Sequence, residues 1–308
     1  MEGLRMKAAI IGAHPMETRG LYETLAKRQI ANSFEKGKEL YDLAVDNNVE
    51  LSCGVDAIFG AGIQTARYML DHDVIGKVHS ASAVLVRDNH FIAELLPHVM
   101  RPGGGVLYDM TGYFLMPMFF FFGSVKRLQA YGEKGEPVHE VKKVGSEHRG
   151  LKIQATEYEV ITIILEFEND VMVTFHLNSN GVFQKTLFKV AGDYGVLDIG
   201  YPHEFDAPVS LTTFGMQKTD IPFRFGLTDP VYGVGLADLA WAVKNNRKAR
   251  IDKKIALHDL EVITGIEKSI AFGEVYEMTT SIERPKPLEE GYFGNGFWTT
   301  GEETALAL

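Results

Sequence analysis

The sequence predicts an α/β (α+β) chain, in which a remnant of a parallel sheet precedes a large, mostly antiparallel open sheet flanked by helices. Three observations carry this. Met6 to Gly12 (MKAAIIG) is a nearly continuous apolar run ending in glycine, the pattern of a strand buried on both faces of a parallel sheet. Between Ile161 and Phe175 apolar residues partly alternate, as in an antiparallel strand pair with one covered face. Two segments of helical period, Gly233 to Asn245 and Ile255 to Phe272, close the pattern.

Taken in order, Met6 to Gly12 reads as a first Rossmann-like strand, but Ala13, His14 and Pro15 follow where a dinucleotide fingerprint needs further glycines. Asn32 with Glu35 three residues on resembles a capping arrangement, and Leu40, Leu43 and Ala44 form the apolar stripe of a helix reaching about Asn47. Val49 to Val55 reads as a second strand. One strand, helix and strand set is too little for a complete dinucleotide domain, so residues 1–55 are read as a truncated one and 56–308 as the second domain. There, Gly60 to Leu70 is helical and a strand runs from Val78 to Val86. Further strands are expected at Ser124–Tyr131, Glu159–Phe167, Val171–Asn178, Thr186–Ala191 and Val196–Ile199, joined by turns such as Glu168-Asn169-Asp170.

A formal net charge of -10, with 31 basic residues scattered among 41 acidic ones, excludes a nucleic-acid footprint. Cys53 is the sole cysteine, which rules out an intrachain disulfide or a thiolate metal cluster and fits a reducing cytoplasm. The longest apolar run, Tyr113 to Gly123, is too short for a membrane span of roughly 20 residues. His72, His79, His90, His98, His139, His148, His176 and His203 show no paired ligand spacing, so no metal is predicted.

The richest stretch is Pro102 to Gly123, PGGGVLYDMTGYFLMPMFFFFG. Three glycines permit a tight turn with close backbone approach, and Asp109 stands at the amino end of an apolar helix, where negative charge is favoured. Taken alone, this reads more readily as a glycine turn before a capped core helix. Four consecutive phenylalanines, Phe119 to Phe122, cannot all point inward from one helix face, so at least one is expected to face a partner. The open sheet is the other expected contact of a homo-oligomer.

With its neighbours, this segment resembles the Gfo/Idh/MocA family (glucose-fructose oxidoreductase and inositol dehydrogenase), whose substrate domain carries a GGG-x-L-x-D helix. IANSFEKGKELYDLAVDNNV, GAGIQTARYMLDHDVIGKV and GVGLADLAWAVKNNRKARIDKKIALHDLEVITGI are similar to its other helices in the same order, so the resemblance spans about Ile30 to Leu288. It implies an NAD- or NADP-dependent oxidoreductase acting on a sugar or polyol. It also implies catalytic roles for Lys27, Asp109 and Tyr113, with Gly12 and Arg28 on the cofactor. The departures point the other way. The family's Glu-Lys-Pro reads Lys27-Arg28-Gln29 here, and arginine is no general base. Tyr113 takes a histidine's place, Met116 that of an aspartate, and His258 at the last helix reads more readily as packing than catalysis. The alternative is a catalytically inactive, truncated homologue serving as a ligand-binding or oligomerisation domain.

Overall fold

The computed structural model describes residues 29–289 except 95–96, 101–102, 216, 230 and 232. The expected strand Met6 to Gly12, and with it Gly12, Lys27 and Arg28, lies outside the described residues.

Helix α1 (Phe34–Asp46) starts one residue later than the Asn32 pattern suggested: Ser33 is the cap, its hydroxyl accepting from the Lys36 amide at 3.4 Å. Segment 49–55, expected as a strand, pairs with no strand among the described residues. Its polar groups go elsewhere: Lys253 Nζ donates to the Val49 carbonyl at 2.9 Å, and the Ser52 hydroxyl donates to the Ile251 carbonyl at 2.7 Å. A period-2 pattern makes a strand only where a neighbouring strand accepts it. Cys53 and Val55 are buried in the main core instead.

Helix α2 (Ala61–Asp71) leads into strand β1 (Val78–Asp88), short helix α3 (Asn89–Ala93) and the central helix α4 (Val106–Phe122). Then come β2 (Val125–Lys134), the hairpin β3 (Val138–Glu140) and β4 (Lys152–Gln154), β5 (Tyr158–Phe167), β6 (Met172–Asn178) and β7 (Asn180–Gly192). The chain continues through β8 (Gly195–Ile199), β9 (Val209–Thr213), β10 (Thr219–Ile221), α5 (Val234–Lys244), α6 (Lys253–Phe272) and β11 (Tyr276–Glu277). Nine strands form one sheet in the order β10-β9-β8-β7-β1-β6-β5-β2-β11, with β1 parallel to β6 and the other pairs antiparallel. The predicted alternation is visible in β5, where Ile161, Ile163, Leu165 and Phe167 are buried while Thr162 and Ile164 face out.

Helix α4 lies on the covered face, and 15 of its 17 residues are buried. A helix that is apolar all round has no surface face, and this corrects the expectation that a phenylalanine would point outward. Phe119 packs edge-on to His258 of α6, Phe120 lies under Arg67 of α2, Phe121 stacks on Phe188 of β7, and Phe122 meets Phe167 of β5. Four neighbours on four sides absorb the run, so it gives no ground for a partner. Among the described residues no helix is long and apolar enough to cross a membrane.

Candidate functional site

A cleft of about 670 Å³ opens at the amino end of α4. One wall is the segment 29–32 with Lys36, Glu39, Leu40 and Leu43 of α1; the other is the glycine turn, Gly103 and Gly104, with Tyr108 and Asp109. The turn explains the sequence: Gly103 has φ +76°, and a Cβ on Gly105 would lie 2.5 Å from Glu157 Cβ. Burial and then the neighbouring Glu267 push the Glu157 carboxyl up, with the Gly103 amide opposing them. The Tyr108 hydroxyl donates to Glu267 Oε2 at 2.7 Å, and burial pushes the phenol up further than this acceptor alone would.

Asp109 does occupy the cleft, and it is paired. Arg87, at the end of β1, donates through Nη2 to Asp109 Oδ2 at 2.7 Å, with side chains 12% and 31% exposed. Arg87 Nε is buried without a bonding partner, as is Asn89 Oδ1 two residues later. Tyr113 sits one turn deeper in α4 and is not among the residues lining this cleft; its ring lies 4.6 Å from that of His203, which stacks on Tyr201 at 5.4 Å. Burial raises the Tyr201 phenol to about 12, with Arg87 lowering it and Asp109 raising it. Thus Arg87, Tyr201 and His203 gather beside the two predicted residues. Sequence reasoning missed all three. Arg87 carried one faint signal, a charge ending the apolar run VLV; the GYPHEF loop carried none.

His258 is structural. Its Nε2 accepts from the Val125 amide at 3.1 Å, so the proton is on Nδ1, which bonds Thr280 Oγ1 at 2.7 Å. Burial lowers it to about 4. Among the described residues no group of three or more His, Cys, Asp or Glu side chains is arranged to hold a metal ion.

No curated protein matches the chain by sequence. Solved structures do match the fold. Levoglucosan dehydrogenase in its apo form superposes with a TM-score of 0.67 at 14% identity, over 82% of this chain and 73% of that one. An NAD binding oxidoreductase from Klebsiella pneumoniae gives 0.68 at 14%, over 82% and 72%. The aldose-aldose oxidoreductase of Caulobacter crescentus complexed with glycerol gives 0.64 at 16%, over 82% and 70%. Residues 63–198, from α2 through most of β8, match the model of the GFO/IDH/MocA C-terminal domain.

Proposed function

We propose that the protein is an NAD- or NADP-dependent oxidoreductase of the Gfo/Idh/MocA type, acting on a sugar, polyol or related hydroxy compound. The observation that carries this reading is the cleft at the head of α4, where the Arg87-bound carboxylate of Asp109 faces the apolar wall of Ile30, Ala31 and Leu40. Levoglucosan dehydrogenase has been solved with NADH and L-sorbose, and a further neighbour, an oxidoreductase from Agrobacterium radiobacter, with NAD+ and L-tartaric acid. Both are hydroxylated small molecules.

The cleft suits a flat ring: a broad apolar wall on one side, and glycine backbone free of side chains at Gly103 and Gly104 on the other. A nicotinamide bound there supplies the two-electron acceptor. The chain's own part is orientation and proton handling. Asp109, fixed by Arg87, accepts a hydrogen bond from a substrate hydroxyl and sets the carbon bearing it. Tyr113, with His203 and Tyr201 beside it, supplies a donor surface for a second hydroxyl. Lys27 is the proton acceptor of this scheme, and Gly12 and Arg28 contact the cofactor. The exposed face of the sheet, where Ile164 and Met172 stand among Thr162, Thr174 and His176, is the homo-oligomer contact.

The second reading, a silent ligand-binding or oligomerisation domain, is favoured by one observation: Arg28 occupies the position of the family's lysine. Fluorescence titration with NADH and NADPH separates the two. The first reading expects saturable enhancement and, with a panel of sugars and polyols, reduction of NAD or NADP. A folded, cooperatively melting protein showing neither supports the second.

A further inference from the structure

His90 and His139 stand 49 residues apart in the chain, and the fold brings them into contact: their Nδ1 atoms lie 2.8 Å from one another. The ring centroids are 4.7 Å apart. The other nitrogen of His90, Nε2, lies 3.1 Å from Glu159 Oε1, on a side chain only 7% exposed. The other nitrogen of His139 is buried without a hydrogen-bond partner. The three side chains form a line from β5 through α3 to the β3–β4 hairpin, and none of them lines the cleft.

Proton counting limits what this line can be. A nitrogen–nitrogen contact of 2.8 Å holds one proton between a donor and an acceptor. His90 turns Nε2 to a carboxylate and carries a proton there. In the neutral pair the shared proton leaves His139 Nε2 bare; one further proton fills it and makes a single cation beside Glu159. Both forms keep the contact. A second cation puts a proton on each facing nitrogen, and the rings must part.

The hairpin depends on such ties, because a two-stranded ribbon is marginally stable by itself. It rests on a small second core of Ala93, Val99, Met100, Val141 and Ile153, and Ile153 is paired with His139 across the ribbon. Its further ties to α3 run through Glu94, whose carboxylate accepts from the Lys142 amide at 3.1 Å and whose carbonyl accepts from the Ser146 hydroxyl at 2.8 Å. At Gly135, ahead of the ribbon, a Cβ would run into the Glu159 carboxyl, so bare backbone lets the chain approach β5 there. The turn Pro97–Met100, which supplies Val99 and Met100, precedes Gly103 and Gly104 of the cleft in the chain.

We propose that the His90–His139 contact, anchored on Glu159, is an acid-sensitive latch that holds the β3–β4 hairpin on α3 and on the 97–100 turn, and that opens when both imidazoles are protonated. The Glu159 carboxylate raises His90 against burial, while burial and then His90 lower His139. Asp88 and Glu94, at the two ends of α3, and Glu159 of β5 are the charged groups bearing on the rings; Lys143 of the ribbon lies over the Phe91 ring instead. With its folded value depressed, His139 contributes stability present above its ordinary value and lost as pH falls.

The test compares the full-length wild type with His139→Asn, which keeps a bonding atom at the Nδ1 position and does not titrate. Hydrogen exchange, corrected for intrinsic rates, is read at 138–154 and 98–100, against 161–167 of β5 as reference, at pH 7.5 and pH 5. In the wild type both segments are expected to exchange about tenfold or more faster, relative to β5, at pH 5; in His139→Asn the change is expected to stay within about twofold. A wild type whose hairpin exchange ignores pH overturns the proposal, as does an equal response in the variant. Should the variant not fold, NMR titration of the wild-type histidine rings decides. His90 is expected to titrate above the ordinary histidine value and His139 below it; independent titration of both at that value overturns the latch.

Discussion

Two polar sets lie at opposite ends of α4 and are built to different standards. At its carboxyl end, behind Phe119, Glu261 of α6 accepts from the amides of Thr279 and Thr280, each at 2.8 Å, and from both their hydroxyls, and Thr280 also bonds His258. Burial works against the Glu261 carboxylate, but these four bonds outweigh it and lower its pKa. At the amino end the Arg87–Asp109 pair is half-open, and Arg87 Nε and Asn89 Oδ1 are buried without partners. The satisfied set clamps the tail across α6. The unsatisfied one retains bonding capacity, as a site for a hydroxylated ligand requires.

This contrast is broken first by removing its strongest member. Glu261→Ala removes the buried carboxylate that accepts two part-buried amide bonds and two hydroxyl bonds, and is expected to cost about 3 kcal/mol or more in urea unfolding. Asp109→Ala is expected to change unfolding by no more than about 1 kcal/mol, because its pair is partly exposed. If the two cost the same, the distinction between clamp and site fails. The same Asp109 variant is expected to lower kcat/KM by about 10²-fold or more once a substrate is found, since an orienting hydrogen bond to the reacting hydroxyl is lost.

A pH measurement sharpens the clamp. His258 is lowered from 6.5 to about 4, its neutral form being held by the Val125 amide. A histidine with a depressed folded-state pKa contributes stability that is fully present above its unfolded value and is lost as pH falls. Stability should therefore decline between about pH 6.5 and pH 4, by up to about 3 kcal/mol from this group. Asp259 has the opposite sign: raised to about 7, it favours folding at low pH and penalises it as pH rises through 7. Stability from this group is lost between about pH 4 and pH 7, so Asp259→Asn should stabilise the protein by roughly 3–4 kcal/mol more at pH 8 than at pH 4. A uniform shift at both pH values would contradict this assignment.

Much of the covered half of the molecule was legible from local pattern. The alternation in β5 and β6, the glycine turn and the helix from Val106 each appear where their residues predicted, because each is specified by neighbours in the chain. Segment 49–55 was misread because Cys53 and Val55 are buried in the core, as strand residues would be, while among the described residues no strand pairs with it. The Phe119 to Phe122 run has no outer face because α2, α6 and the sheet pack around it, a burial that only tertiary structure supplies. In the site, Asp109 could be read from its place in the helix. Arg87 could not be paired with it from sequence, nor Tyr201 and His203 brought to Tyr113, since those meetings are made by the sheet.

The smallest expected effect tests how far the open end is specialised. Arg87→Lys keeps the positive charge next to Asp109 but gives up the planar fork and the buried Nε donor. The pair is only partly exposed and lysine keeps its charge, so the melting temperature should stay near that of the wild type. If the pair serves only to fasten β1 to α4, catalysis should stay near it as well. If Arg87 sets the direction of the Asp109 carboxylate, a point charge cannot replace it. kcat/KM should then fall by about tenfold while the affinity for NADH, which this reading places on the opposite wall, holds. A tenfold loss in NADH affinity with unchanged turnover would move Arg87 from orienting Asp109 to shaping the cofactor side of the cleft.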